Sequence, residues 1–172
     1  MNYKKIKLAV VGVGDMGLKH IDAIKKTKGA VLSAVVDLKE NSFIKKINSN
    51  FYTSIRDMFK FEKIDGVIVA TPNASHFRDS LEVIKHECTV LIEKPITTNS
   101  KDTEKLISVA KKMKVEILVG HHRRHNPLMQ KAKELIDNNI LGKVRTININ
   151  CQMYKPVSYT HLTLPTSRRV CV

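Results

Sequence analysis

Three glycines and one aspartate carry the clearest chemical signal in this 172-residue sequence. Gly12, Gly14 and Gly17 are spaced G-x-G-x-x-G, with Val13, Asp15 and Met16 between them, directly after the apolar run Ile6-Lys7-Leu8-Ala9-Val10-Val11. Gly12 suits a tight turn out of a strand, Gly14 lets backbone N–H groups approach a pyrophosphate, and Gly17 lets the next helix pack closely on the sheet. The N-terminus of that helix would turn its partial positive charge towards phosphates. Asp37 stands twenty residues beyond Gly17, at the end of a second apolar run, Ala30 to Val36. A carboxylate there can accept hydrogen bonds from both hydroxyls of a ribose. The pattern reads as a dinucleotide site in which Gly12, Val13, Gly14, Asp15, Met16, Gly17 and Asp37 bind the cofactor.

Asp37 also bears on which dinucleotide. A carboxylate accepts from a 2',3'-diol but repels a 2'-phosphate, and a like-charge pair at ~4 Å with an effective dielectric near 20 costs about 4 kcal/mol. NAD is therefore expected, with NADP disfavoured and Lys39 close enough in sequence to soften the rejection. The plainer reading is that Asp37 only begins a turn or caps a helix over Leu38 to Asn48.

Three further groups of residues could do chemistry. Ala70-Thr71-Pro72-Asn73-Ala74-Ser75-His76 follows a strand at its carboxyl end, where doubly wound sheets bind ligands. It also reads as a proline turn with Ser75 capping a helix, and His76 as a surface histidine. Glu93-Lys94-Pro95 ends another strand, so Lys94 projects either into the crevice beside the nicotinamide or simply into solvent. Pro95 is a place where a cis bond could fix its pose. Gly120-His121-His122-Arg123-Arg124-His125-Asn126-Pro127 gathers five basic side chains, but no partner cluster or Glu completes a metal-ligand set, and no metal site is expected.

The elements that must position these residues alternate between strand-like and helix-like patterns, as in a parallel sheet with crossover helices. Ile6 to Val11 reads as a strand buried on both faces, followed by a helix with Leu18, Ile21, Ala23 and Ile24 on its apolar face. Helical patterns fall near Asn41 to Ile47, Ser54 to Phe59, Ser75 to Lys85 and Lys101 to Lys112, the last capped by Ser100. Apolar runs fall at Gly66 to Ala70, Thr89 to Ile92 and Val115 to Val119. The expected fold class is α/β: a six-stranded, doubly wound parallel-sheet Rossmann domain over residues 1–120, followed by the truncated start of an α+β substrate domain over 121–156. In the latter, Pro127 starts a helix through about Asn139, Gly142 stops it, and Lys143 to Met153 alternates like a strand.

Composition narrows the classes. The net charge of +14 and pI of about 9.8 raise nucleic acid as a partner. Yet the lysines spread through nearly every segment at helical spacing and aromatics are sparse, which describes solvated helix faces instead of a base-stacking platform. Cys88, Cys151 and Cys171 form no C-x-x-C and no metal or disulfide spacing, which fits a reducing cytoplasm. Met1 to Lys5 superficially resembles a secretory signal, but Gly12, Gly14 and Asp15 interrupt the apolar core. No apolar run approaches the ~18 residues of a membrane span.

Taken together, Gly12-x-Gly14-x-Met16-Gly17-x-x-His20, Ala70-Thr71-Pro72 with His76, Glu93-Lys94-Pro95 and Gly120 to Pro127 resemble the motifs, in order, of the Gfo/Idh/MocA oxidoreductases. That family takes its name from glucose-fructose oxidoreductase, inositol dehydrogenase and rhizopine catabolism. The resemblance runs from about Lys5 to Pro156. It implies a two-domain enzyme that moves a hydride between a nicotinamide and a carbinol carbon of a cyclic polyol, sugar or nucleotide sugar. It also implies that Thr71, Pro72, Asn73, His76, Glu93, Lys94 and Arg124 join the glycine loop in holding the cofactor. Lys94 would be catalytic, lowering the pKa of the reacting hydroxyl or relaying its proton.

The sequence departs from the family where a second-domain Asp and His, a few residues apart on a helix, would bind substrate and act as acid/base. No such pair follows Pro156. Val157-Ser158-Tyr159-Thr160-His161-Leu162-Thr163-Leu164-Pro165-Thr166 instead matches a translated sequencing-library adapter, so Val157 to Val172 is expected to be non-native and His161 not to be the missing base. Without Arg168 and Arg169 there are 28 basic and 16 acidic residues, a net charge of +12. The expected state is a fragment competent for cofactor binding only, from a parent that assembles as a homo-oligomer through its second-domain sheet. A non-catalytic NAD sensor and a basic nucleic-acid-binding protein are the alternatives.

Overall fold

A computed structural model describes residues 4–40 and 42–150. Six parallel strands form one sheet in the order β3-β2-β1-β4-β5-β6: β1 Ile6–Val11, β2 Ala30–Val36, β3 Asn50–Tyr52, β4 Gly66–Val69, β5 Thr89–Ile92 and β6 Ile117–Val119. The connecting helices are α1 Asp15–Lys26, α2 Ile55–Phe61, α3 His76–Lys85 and α4 Ser100–Met113. Strand order reverses between β1 and β4, and a crevice forms at such a switch point outside the carboxyl ends of the strands.

Alternation along the strands divides the core between the two faces of the sheet. Ala9, Val11, Val67, Val69, Val90 and Ile92 pack with Met58 of α2, Val83 and Ile84 of α3 and Leu106 of α4. Val10, Val35 and Ile68 pack on the opposite face with Ile21 and Ile24 of α1. Only the carboxyl half of β1 is buried on both faces, since Ile6 is 54% exposed, and Ala23 points out of α1 into solvent.

Several elements differ from the sequence reading. β3, Asn50–Tyr52, lies in no apolar run and is the strand the sequence left without a position, whereas β6, equally short, falls inside the run at Val115 to Val119. The helix expected over 41–47 is a single 3-10 turn at Ile44–Lys46. Ile44 is the only fully buried residue of the described part of that segment, so no helical stripe forms; Asn41 lies outside the described residues. α2 begins after Ser54, whose hydroxyl accepts from the Asp57 N–H at 3.0 Å, and extends to Phe61. α3 is preceded by a 3-10 turn, Asn73–Ser75, and Ser75 makes no capping bond. α4 is capped by Asn99, not Ser100: the Asn99 side chain accepts from the Asp102 N–H at 2.9 Å and donates to its carboxylate at 2.6 Å.

The chain divides after His121 into two compact units. In the second, α5 spans Pro127–Asp137 with Asn126 accepting from the Leu128 N–H. Asn139, at φ +56°, turns the chain before Gly142 is reached. Residues 143–150 form no strand, having no partner strand among the described residues to pair with. The expectations for Cys151 to Pro156 and for the adapter-like Val157 to Val172 lie outside the described residues. Among the described residues, no helix is long and apolar enough to cross a membrane, and no group of His, Cys, Asp and Glu could hold a metal ion.

Asn99→Ala is expected to lower unfolding stability by about 1 kcal/mol, while Ser100→Ala changes it by less than about 0.5 kcal/mol. Urea midpoints at constant m-value separate the two cap assignments.

Candidate functional site

Gly12 leaves β1 with φ at +88°, a conformation that L side chains rarely adopt. Its N–H donates to the Val36 carbonyl at 2.8 Å. A Cβ on Gly12 would lie 2.7 Å from the Ala70 carbonyl oxygen and 2.8 Å from the Thr71 nitrogen, so the loop passes directly against the end of β4. A Cβ on Gly17 would run into the Gly12 carbonyl oxygen. Gly17 thus lets the first turn of α1 sit on its own entry loop, with Val10 of β1 beyond it at 3.6 Å. Gly14 differs from both. It is the N-cap of α1, no side chain caps the helix, and a Cβ there would meet nothing within 4 Å. The open side of the loop is the side that presents the first-turn N–H groups.

Asp37 ties this loop to the end of β2. One carboxylate oxygen accepts from the Val13 N–H at 2.7 Å and the other from the Leu38 N–H at 2.7 Å. Each oxygen has two lone pairs, so the carboxylate keeps acceptor capacity for a diol. Neither plainer reading of Asp37 describes it: a bend at Leu38 and Lys39 follows, among the described residues no helix spans Leu38 to Asn48, and the bond to the Leu38 N–H leaves that capacity intact.

A cavity of about 920 Å³ opens between these segments, a size suited to a cofactor. Gly12, Gly14, Asp15, Met16, Asp37, Thr71 and Pro72 all line it. The side chain of Val13 is instead buried in the core beneath the loop, and its contribution is the N–H held by Asp37. Lys39 is exposed and, unlike its neighbour Leu38, does not line the cavity.

The cavity also takes in Thr53, Ser54, Arg56, Arg78, Asp79 and Glu82, which the sequence did not single out. Both arginines are paired: Arg56 with Glu82 at 3.3 Å and Arg78 with Asp79 at 2.9 Å. Arg78 and Asp79 are neighbours on α3, whereas Arg56 and Glu82 lie 26 residues apart on α2 and α3, and no local pattern announces that pair.

Glu93 and Lys94 follow β5, and His76 begins α3 after β4, at the same carboxyl edge of the sheet. Glu93 is 5% exposed; one oxygen accepts from the Lys94 N–H at 3.1 Å and the other lies 2.9 Å from Nε2 of His20 on α1. A Cβ on Gly120 would come within 3.1 Å of that carboxylate, so Gly120 leaves its room. Lys94 itself is exposed, its Nζ has no hydrogen-bond or ion-pair partner among the described residues, and the Lys94–Pro95 bond is cis. His76 is 1% exposed, which corrects the surface reading: the main-chain carbonyls of Thr71 and Pro95 occupy its two ring nitrogens. Asn73 is exposed at the start of the turn before α3. Arg124 belongs to the second compact unit, in a 3-10 turn over His122–His125.

Residues 6–121 match the Gfo/Idh/MocA family, an oxidoreductase family with an NAD-binding Rossmann fold. Among curated proteins, the chain is 31% identical over 150 residues to Oxidoreductase P35 of Formosa agariphila, covering 84% of this chain and 47% of that protein. It is 25% identical over 149 residues to the myo-inositol 2-dehydrogenase of Thermotoga maritima, covering 84% and 44%. The chain thus spans less than half the length of these relatives. Among solved structures, it superposes with a TM-score of 0.77 on scyllo-inositol dehydrogenase from Lactobacillus casei with bound NAD(H) and scyllo-inositol. That likeness covers 86% of this chain and 46% of the other at 24% identity, and is one of fold.

Gly17→Ala is expected to destabilise the fold by about 1–3 kcal/mol, because the added methyl meets backbone. Gly14→Ala should stay within about 0.5 kcal/mol of the parent. Denaturant melts of the two variants test this reading of the loop.

Proposed function

From the chain's membership of the Gfo/Idh/MocA oxidoreductase family, we propose that it is the cofactor-binding part of an NAD-dependent dehydrogenase acting on a hydroxyl-bearing carbon of a cyclic polyol, sugar or nucleotide sugar. The observation that carries this reading is the glycine loop. It is crowded at Gly12 and Gly17, open at Gly14, and anchored through Val13 to the Asp37 carboxylate. A dinucleotide fits that arrangement. First-turn N–H groups of α1 would receive the diphosphate, and Asp37 would accept from the adenosine ribose. Its fixed negative charge favours NAD over NADP.

When bound, the nicotinamide supplies the hydride acceptor or donor. The chain's own residues handle binding and the proton. Thr71 and Pro72 line the cleft beside the glycine loop. Lys94, on the turn after β5, is the proposed catalytic residue: its ammonium group would face the substrate hydroxyl, stabilise the developing alkoxide and relay its proton. Glu93 and His76 touch the main chain around Lys94, His20 touches the Glu93 carboxylate, and the three would act by positioning Lys94. Asn73 and Arg124 are proposed as further cofactor contacts on the strength of the motifs alone. The substrate class is suggested by the inositol dehydrogenases among the relatives and solved structures.

Titration with NADH should quench or shift cofactor fluorescence and raise the thermal midpoint. Gly14→Ala should weaken the affinity by about tenfold or more without loss of stability, since its methyl fills the approach to the loop. Absence of any binding signal at about 1 mM NADH would sink the cofactor assignment. In a protein that carries the substrate domain, Lys94→Ala should lower kcat by about 10²-fold or more. A Lys94→Ala enzyme of unchanged turnover would mark the chain as a nucleotide sensor instead.

A further inference from the structure

His76 begins α3 and is almost fully buried, and the proposed hydride chemistry gives it no direct part. Its surroundings are unusual for a histidine. Nδ1 lies 2.7 Å from the carbonyl oxygen of Pro95, and Nε2 lies 2.8 Å from the carbonyl oxygen of Thr71. A carbonyl oxygen can only accept, so both contacts require an N–H on the ring. Neutral imidazole has one N–H, and its other nitrogen would set a lone pair against oxygen. From this geometry we infer that His76 is a doubly protonated brace that locks the segment after β4 to the Lys94–Pro95 turn after β5, making it a positioning residue for Lys94.

The contrast with His20 supports the assignment. His20 has one acceptor, the Glu93 carboxylate, and a single N–H satisfies it. Glu93 in turn accepts from the Lys94 N–H. Lys94 is therefore gripped on both sides of its own residue. Its N–H is held through Glu93 and His20 from α1, which packs on one face of the sheet. The Pro95 carbonyl is held by His76 from α3, which packs on the other. Burying a charge costs free energy that hydrogen bonds offset in part, and bonds from a charged donor are stronger than neutral ones.

The elements around His76 carry ionisable groups of both signs. On its own helix stand Asp79, 7% exposed and paired with Arg78, and Glu82, paired with Arg56 and Lys85. On the turn after β5 stand Glu93, engaged by His20, and Lys94. α4 carries Lys101, Asp102, Glu104, Lys105, Lys111 and Lys112, and Lys105 lies over the ring of the neighbouring Phe77. The segment 70–75 after β4 carries no ionisable side chain.

The inference rests on the proposed role of Lys94, but its first observable belongs to the ring alone, so the two can fail separately. Long-range proton–nitrogen NMR of the whole 15N-labelled chain near neutral pH, with the ring assigned through bonds from the His76 backbone, should show both nitrogens with the protonated shift. One protonated and one bare nitrogen would overturn double donation. Raising the pH until the ring loses a proton should move the amide resonances of Lys94, Ile96 and Pro72's neighbours Thr71 and Asn73 with the same midpoint as the ring. Ring titration that leaves the Lys94 and Ile96 amides in place would overturn the positioning role. Both readouts use the unmodified chain and stand whether or not it turns over a substrate.

Discussion

Everything at the carboxyl edge of this sheet depends on how closely other backbone can approach Gly12. Its α-carbon sits between the Ala70–Thr71 peptide at the end of β4 and the first turn of α1, where Gly17 rests against its carbonyl. With no side chain at either glycine, β1, β4 and α1 converge on one point. The convergence leaves the helix N-terminus facing the cavity and brings Thr71 and Pro72 into its lining beside the loop. A methyl group at either position would have to be accommodated by backbone, which yields far less than side chains do. The third glycine, Gly14, answers a different need, because the space beside it is open.

Polar side chains then fix the loops around that point by bonding to main chain. Asp37 holds Val13, Glu93 holds Lys94, and His76 holds Thr71 and Pro95. Each bond joins segments far apart in sequence or pins a turn at a strand end. Such bonds determine where a loop lies before any ligand arrives, and a loop already in place loses less entropy on binding. Of the groups that make them, Glu93 and His76 are buried, where a hydrogen bond is electrostatically stronger than in water.

The legible parts of the sequence were those where one local pattern determines one structure. The strands of four or more residues, the glycine loop and the position of Asp37 follow from apolar runs and spacing, and the structure has them. β3 was illegible because Asn50–Tyr52 is defined by pairing with β2, not by its own pattern. The Asn99 cap was missed for a similar reason: asparagine and serine both cap, and only the N–H of Asp102 decides between neighbours. His76 was legible as a motif member but not as a buried brace, since its two acceptors are carbonyls 5 and 19 residues away, and carbonyls leave no mark in a sequence. The cavity wall from α2 and α3 was equally hidden. Arg56 and Glu82 meet across 26 residues, and each alone reads as an ordinary surface charge.

The same pairing explains why the net charge of +14 says little about the cleft. The two arginines that line it are held by Glu82 and Asp79, which cancel much of their field at short range. Lys26, Lys60, Lys131 and Lys133 pair with acids one helical turn away on their own helices. Exposed charges more than about 8 Å apart are largely screened at physiological salt. The attraction of this site for an anion therefore has to come from groups that no counter-charge satisfies and that lie at the cleft itself. The first turn of α1, which no side chain caps, offers such N–H groups at the cleft, beside the carboxylate of Asp15. Its N–H groups are oriented by the helix, and their dipoles need no reorganisation when a diphosphate arrives. Sequence charge and site electrostatics thus have separate origins here: lysines set the first, and three glycines set the second.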